Sequence, residues 1–144
     1  MAITLTVTVL LVVLSVLVHS QALLWLSKLI LRMRVSSRWK AVTGVLGALF
    51  AHLFEVWLFA LGYFLLVKWG NFGALVGDFS HGFRDCTYYS LIVYSSLGFG
   101  DITPTGPIRF LSGAEVLTGL VLVAWTASFM YIQMQRFWGR ELEH

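Results

Sequence analysis

Three long apolar runs constrain the fold of this chain more than any other feature of its sequence. They cover residues 2–26, 41–67 and 110–134 of the 144 residues. A helix crosses the hydrocarbon core of a bilayer with about 20 apolar residues, and each run supplies that number. The overall composition, 58% hydrophobic and 12% charged, agrees with an integral membrane protein. The runs therefore predict three transmembrane helices.

The first run has a second interpretation, a cleaved signal peptide. A signal peptide begins with positive charge and ends at a cleavage site of small residues. No Lys or Arg precedes Lys28, so a retained helix is favoured. His19 interrupts this run, and we interpret it as a residue at the lipid interface or between helices rather than as a ligand.

Positive charge gathers between the first and second runs. It comes from Lys28, Arg32, Arg34, Arg38 and Lys40, with no acidic residue among them. A short connection with this excess is placed in the cytoplasm, so both the amino terminus and the connection between the second and third runs are expected outside. The carboxyl terminus is then cytoplasmic. The expected location is the inner (plasma) membrane, with anionic lipid heads near the basic residues. The net charge of +3 gives no reason to expect a nucleic-acid partner.

A polar, glycine-rich stretch, Ser-Ser-Leu-Gly-Phe-Gly-Asp at residues 95–101, lies between the second and third runs. Residues 84–94 before it suit a helix too short to span a membrane, and residues 102–107 after it favour turns. This order predicts a re-entrant loop that dips in from outside; a plain extracellular loop is the alternative. A nucleotide-binding glycine loop is disfavoured because Thr103 stands where its third glycine would be.

The residue types of this stretch suit a row of backbone carbonyls. Gly98 and Gly100, at alternate positions, can adopt the positive φ that other residues avoid. Carbonyl oxygens that several subunits arrange around one axis can replace the hydration shell of a cation. We expect Leu97 and Phe99 to point away from that axis, with the Phe99 ring against the chain's own tyrosines or a neighbouring subunit. The Ser96 hydroxyl can add an oxygen at the inner mouth.

The stretch resembles the selectivity-filter signature of potassium channels, Thr-Val-Gly-Tyr-Gly-Asp or Thr-Val-Gly-Phe-Gly-Asp. Tyr88 and Tyr89 resemble the aromatic pair on the pore helix of that family, and Pro104 resembles the proline just outside the filter. The likeness covers residues 41–135 as outer helix, pore loop and inner helix. With its extra first span, the whole chain resembles small bacterial ion channels of this superfamily.

The resemblance implies an all-α membrane protein with three transmembrane helices, a re-entrant pore helix and a filter loop. A homotetramer is implied because four loops make the ring, whereas each chain has one loop and no internal repeat. The implied domains are a helix with a basic loop at 1–40, the pore domain at 41–136 and a short cytoplasmic tail at 137–144. Ser96 in place of threonine and Leu97 in place of valine or isoleucine bear on the exact selectivity rather than on the class.

Passive conduction of K⁺ is the implied function, with K⁺ as the permeant ion, no cofactor and no enzymatic activity. The residues implied to hold K⁺ in the filter are Ser96, Leu97, Gly98 and Phe99, completed by Gly100. The implied supports of the filter are Tyr88, Tyr89, Ser95, Asp101 and Glu115. Two alternatives stay open, a non-selective or sodium-conducting cation channel and a non-conducting accessory membrane subunit. No nucleophile–base pair and no cluster of metal ligands is recognised in the sequence.

Ionisable residues inside the apolar runs are costly and normally face protein or water. His52 and Glu55 lie in the middle of the second run, one turn apart, and so share a helix face. The favoured interpretation is a hydrogen-bonding pair that anchors the outer helix to the pore, and the alternative is a proton or gating sensor. Glu115 in the third run either braces the back of the filter or pairs with the outer helix.

Small residues in the second and third runs predict helix contacts. Gly44 and Gly47 are expected to allow another helix to approach closely. Gly119 lies near the point where the inner helix of the resembled family bends, and both bending and close packing remain as its interpretations. The residues expected to line a cavity, at helical spacing, are Val121, Ala124, Ser128 and Ile132. Cys86 is the single cysteine, which excludes a disulfide within one chain and a cysteine-based zinc site.

Overall fold

The computed structural model describes residues 1–141, with side chains described up to Arg136. Four helices and two short strands follow one another in this described part of the chain. In order they are α1 (Ala2–Arg32), α2 (Ser37–Trp69), β1 (Leu75–Gly77), α3 (Phe83–Tyr94), β2 (Ile102–Pro104) and α4 (Ile108–Glu141).

Three of these helices are long and apolar enough to cross a membrane. They are Ala2–Arg32, Ser37–Trp69 and Ile108–Arg136, and they confirm the predicted all-α fold with three spans. The last helix runs further than the apolar pattern indicated, because α4 continues to Glu141 instead of ending near residue 134. The helix therefore reaches into the predicted tail at 137–144. The sequence places Trp138 and Arg140 in this tail, and their types suit an anchor at the membrane interface. Their side chains lie outside the described residues.

One stripe of α1 is buried against the other helices, and small side chains form much of it. Its members recur every three or four residues: Thr4, Thr8, Leu11, Ser15, His19, Leu23, Leu26 and Ile30. Glycines on α2 meet the carboxyl-terminal part of this stripe. A Cβ built on Gly47 would lie 2.6 Å from Leu26 Cδ1, and one on Gly44 would lie 2.8 Å from Met130 Cε of α4. The prediction that these glycines allow close helix approach is confirmed.

A two-stranded antiparallel sheet lies between α2 and α4, and the sequence did not predict it. It pairs Leu75 with Pro104, Val76 with Thr103 and Gly77 with Ile102. Gly77 has φ +119°, and a Cβ there would overlap the carbonyl oxygen of Asp101. Only glycine fits this position, because a side chain would clash with the facing backbone. The strand pair holds the segment before α3 against the segment that follows the glycine-rich loop.

The short helix α3 sits between α2 and α4, where the main core is found. Its 12 residues span about 18 Å at 1.5 Å per residue, well short of a bilayer. Tyr89 and Ile92 of α3 join Phe59 of α2 and Leu111 of α4 in one buried cluster. The Tyr63 and Tyr89 rings meet edge to face, 5.0 Å apart. This helix is the predicted pore helix, beginning at Phe83 rather than at residue 84.

Candidate functional site

The backbone amides at the start of the glycine-rich loop turn back towards α3. Ser96 N donates to Val93 O at 2.9 Å, while Leu97 N and Gly98 N both donate to Ile92 O, at 2.9 and 3.1 Å. The carbonyls behave differently. Within the part of the chain that the structure describes, no hydrogen bond is accepted by the carbonyl oxygens of the loop, which belong to Ser96, Leu97, Gly98, Phe99 and Gly100. The loop thus offers a run of backbone acceptors that protein donors leave free.

Every second residue of this loop has a left-handed backbone. The φ angles are +59° at Ser96, +51° at Gly98 and +83° at Gly100. The positive φ expected at the two glycines is confirmed. Ser96 extends the pattern by one step, and sequence reasoning missed it because serine carries no signal for this conformation. An ordinary L-residue held there costs roughly 1–2 kcal/mol.

Two large apolar side chains of the loop are exposed on the single chain. Leu97 is 57% exposed and Phe99 is 66% exposed. The Phe99 ring contacts no other aromatic ring among the described side chains, although Tyr88 and Tyr89 were expected as partners. A ring contact with the chain's own tyrosines is therefore not seen in the single chain. Packing against a neighbouring subunit stays a prediction.

Polar contacts fix both ends of the loop. At the start, the Ser95 hydroxyl donates to Leu91 O at 2.8 Å, which holds it on the last turn of α3. At the other end, the Tyr88 hydroxyl donates to Asp101 Oδ2 at 2.7 Å. This bond to the carboxylate raises the pKa of Tyr88. Asp101 O in turn accepts from Asp78 N at 3.1 Å, so the loop is tied to the segment before α3.

A buried carboxylate joins three helices behind the loop. Glu115 of α4 is fully buried, and it accepts from the Ser90 hydroxyl of α3 and from the Tyr63 hydroxyl of α2, each at 2.5 Å. Tyr89 and Ser112 hydroxyls are 2.8 Å apart beside it. The sequence left two roles open for Glu115, a brace behind the loop or a partner of the outer helix. The structure shows the pairing with the outer helix, through Tyr63. The contact with Ser90 reaches the short helix rather than the loop, so the brace behind the loop stays a prediction.

A second polar cluster lies at the end of α3 and includes the first helix. Glu55 of α2 accepts from His19 Nδ1 of α1 at 2.8 Å and from the Tyr94 hydroxyl of α3. His52 Nδ1 lies 2.8 Å from the Tyr94 hydroxyl and 3.2 Å from Glu55 Oε2, and His52 Nε2 lies 3.0 Å from Thr126 Oγ1 of α4. All four helices therefore meet here. These are the contacts that the anchoring interpretation of His52 and Glu55 requires; the sensor interpretation stays a prediction.

The statement that the chain has no cluster of metal ligands is wrong for this region. His19, His52 and Glu55 bring one ligand atom each to within 4.8 Å of one another. Sequence reasoning missed the cluster because His19 belongs to a different helix, far from the other two along the chain. The available signal was that all three are ionisable residues in the middle of apolar runs, which marks each as a functional candidate.

On α4, the structure supports the close-packing interpretation of Gly119, and bending at this glycine stays a prediction. A Cβ there would overlap the carbonyl oxygen of Tyr94, so close packing accounts for this glycine. The four predicted cavity residues are exposed on the single chain; they are Val121, Ala124, Ser128 and Ile132. Their position on one open face is compatible with a cavity, which stays a prediction.

Three spanning helices, with a short helix and a glycine-rich loop between the second and third, define a pore-loop membrane protein. A family model described as an ion channel matches residues 51–136, which is more than half of the chain. The chain belongs to this ion channel family, within the potassium channel pore superfamily that its loop resembles. The match includes most of α2, all of α3 and the loop, and α4 as far as Arg136, but not α1. No curated protein and no solved structure was found to match the chain.

Proposed function

We propose that this protein is a potassium-selective channel that conducts K⁺ passively through a filter of backbone carbonyls. The observation that carries the proposal is the hydrogen bonding of the loop from Ser96 to Gly100. The backbone amides at its start donate to carbonyl oxygens of α3, and its own carbonyl oxygens accept no hydrogen bond among the described residues. An ion gives up its water only where other oxygens replace it, and free carbonyls supply such oxygens. No covalent step is needed.

The filter is proposed to form in a homotetramer. Each chain has one loop, so four chains are needed to surround an axis. In the single chain Leu97 and Phe99 are largely exposed although they are apolar, which supports burial against neighbouring copies. The proposed K⁺ ligands are the carbonyls of Ser96, Leu97, Gly98 and Phe99, with the Ser96 hydroxyl at the inner mouth.

The direction of α3 favours a cation at the inner end of the filter. This helix ends at Tyr94, directly before the loop. The carboxyl end of a helix carries about half a negative charge, which stabilises a nearby cation. Four copies of α3 around one axis would add their fields. The open face of α4 that contains Val121, Ala124, Ser128 and Ile132 is proposed to line the cavity below.

The proposed location is the inner (plasma) membrane, with the amino terminus outside and the carboxyl terminus in the cytoplasm. The α1–α2 connection carries Arg34, and four further basic residues lie on the adjoining helix ends: Lys28, Arg32, Arg38 and Lys40. This orientation follows from the rule that short basic connections stay on the cytoplasmic side. It places the loop on the outer side of the cavity.

Reconstitution in liposomes tests the proposal. Reversal potentials are measured with K⁺ on one side and Na⁺ on the other, and native mass spectrometry counts the chains in the conducting particle. The expected result is a tetramer that favours K⁺. Equal permeation of K⁺ and Na⁺ would support the non-selective alternative, and a folded protein without cation flux would support the accessory subunit. A conducting form that is only a monomer or dimer would contradict the proposed pore.

A further inference from the structure

We propose that His19, His52 and Glu55 form a binding site for a divalent transition-metal ion such as Zn²⁺. The site lies between α1 and α2, at the level where α3 ends. It is separate from the glycine-rich loop, and binding of the metal does not depend on which ion that loop conducts.

The spacing of the ligand atoms fits such an ion. His19 Nδ1 lies 2.8 Å from Glu55 Oε1, and His52 Nδ1 lies 3.2 Å from Glu55 Oε2. Bonds of 2.0–2.2 Å to nitrogen and oxygen place the ligands of a tetrahedral Zn²⁺ about 3.3 Å from one another. Each Nδ1 therefore lies near that separation from one oxygen of Glu55, a different oxygen for each histidine. One ligand atom from each of the three residues lies within 4.8 Å of the others.

The hydrogen-bond partners around the three ligands also fit a metal. His52 Nε2 and His19 Nε2 both face Thr126 Oγ1, at 3.0 and 3.2 Å. Histidines that bind a metal through one nitrogen donate the N–H of the other to an outer partner. A hydroxyl oxygen has two lone pairs and can accept both N–H groups. Thr126 is thus placed to orient both imidazoles at once.

Without a metal, two neutral imidazoles and the Thr126 hydroxyl have one hydrogen too few to make all of these contacts hydrogen bonds. If both neutral imidazoles donate through Nδ1 towards Glu55, each Nε2 needs a donor, and Thr126 has one hydroxyl hydrogen for the two of them. Tyr94 cannot supply the missing one, because its hydroxyl donates to Glu55. A metal on the two Nδ1 atoms moves both hydrogens to Nε2, where Thr126 Oγ1 can accept both of them. An extra proton on one imidazole is the rival solution, and the experiment below separates the two.

The negative charge of Glu55 and the two imidazole ligands indicate which class of ion the site would bind. Glu55 is fully buried and the described residues give it no Lys or Arg partner, so a bound cation would compensate its charge. Two imidazoles with one carboxylate suit Zn²⁺ and its neighbours Co²⁺, Ni²⁺ and Cu²⁺, whereas Ca²⁺ and Mg²⁺ prefer oxygen ligands throughout. The His52 side chain is 14% exposed, which leaves an opening for the ion and for water as a fourth ligand.

The site would fasten the first helix to the rest of the chain. Its ligands come from α1 and α2, and Tyr94 and Thr126 connect it to α3 and α4. Tyr94 lies two residues before Ser96, where the left-handed pattern of the loop begins. A bound metal is therefore expected to raise the thermal stability of the chain. An effect of the metal on K⁺ flux would in addition rest on the proposed function.

Cobalt serves as a spectroscopic probe of the site. Full-length protein in detergent is treated with a chelator and titrated with Co²⁺, and the visible absorption of the ion reports its coordination. We expect one Co²⁺ per chain in a tetrahedral or five-coordinate environment, displaced by Zn²⁺, with a rise in thermal midpoint. His19→Gln and His52→Gln should each weaken binding more than tenfold. Thr126→Val, which removes only an outer partner, should weaken it about tenfold.

His81→Gln is the matched control, because His81 is an exposed histidine outside the cluster. Its affinity for Co²⁺ should equal that of the wild type. Absence of Co²⁺ and Zn²⁺ binding in folded wild-type protein would overturn the proposal and leave the extra proton as the solution. Equal binding in wild type and in a folded His19→Gln variant would overturn it as well. Liposome flux is measured separately, so a failed channel and a failed metal site give different results.

Discussion

Gly119 of α4 lies against the carbonyl oxygen of Tyr94, the last residue of α3. A Cβ at this position would come closer to that oxygen than any real side chain does, and it would also lie 3.2 Å from Tyr94 Cγ. The contact sets how near α4 can approach the end of the short helix. Because the loop begins immediately after Tyr94, the same contact positions the start of the loop.

Gly119→Ala is therefore expected to destabilise the protein. The added methyl group must push α4 away from a backbone atom, and overpacking of this kind costs typically 1–3 kcal/mol. The measurement is thermal unfolding of the purified assembly in detergent. Gly113→Ala on the same helix is the control, since its Cβ would meet no atom within 4 Å. Equal thermal midpoints for the two variants would contradict the packing role of Gly119.

Gly100→Ala tests the conformation of the loop. Gly100 has φ +83°, and an alanine there costs roughly 1–2 kcal/mol in each subunit. We expect this variant to express and insert normally but to lose K⁺ flux in liposomes. Gly70→Ala is a matched control, because Gly70 has a similar φ of +81° at the end of α2, away from the loop. Wild-type flux through an intact Gly100→Ala tetramer would mean that this loop is not the conduction path.

Phe99 is predicted to hold the loop at a fixed radius by packing against a neighbouring subunit. Phe99→Tyr keeps the ring and introduces the residue usual in the resembled family, so K⁺ flux and K⁺ over Na⁺ discrimination should persist. Phe99→Ala removes the ring and should reduce that discrimination. Reversal potentials under bi-ionic conditions measure both effects. Unchanged discrimination in Phe99→Ala would exclude the ring as a determinant of selectivity.

The Glu115 cluster is expected to contribute to stability through its buried hydrogen bonds. Ser90→Ala removes one donor to the carboxylate and leaves Glu115 Oε1 with one fewer partner. Loss of a buried hydrogen bond that leaves the other group unsatisfied costs about 1–3 kcal/mol. Chemical unfolding in detergent measures the change. Ser128→Ala is the control, because among the described residues the exposed Ser128 hydroxyl bonds only to its own helix, at Ala124 O. A loss of stability in Ser128→Ala as large as that in Ser90→Ala would argue against a special contribution of the cluster.

The features that could be predicted from sequence depend on local chemistry. Each apolar run predicts a spanning helix without reference to the others. Gly98 and Gly100 indicate a positive φ because glycine adopts that conformation readily. The pore helix follows from its length and from its position before the loop. The end of α4 was misplaced because the apolar pattern stops near residue 134, whereas the helical backbone continues to Glu141.

Features that depend on distant contacts could not be predicted in the same way. His19 joins Glu55 across two helices, and nothing in the spacing of the chain indicates that pairing. The strands β1 and β2 have three residues each, too few to show the alternation that marks a strand. Ser96 adopts φ +59° because the chain around it turns there, and serine itself gives no sign of it.

The small sheet has a further consequence for how the loop can vary. Because Gly77 pairs with Ile102, residues 78–101 form a segment that is closed at its base by the two strands. We call this strand pair, 75–77 with 102–104, the neck. Residues added near Asn71, before the neck, would enlarge a surface connection and leave the geometry of the glycine-rich loop unchanged. A single residue added between Tyr94 and Asp101 would have no such outlet and would change the conformation and spacing of the free carbonyls themselves. The neck thus separates a connection before β1 that can change length during evolution from a loop after α3 that cannot.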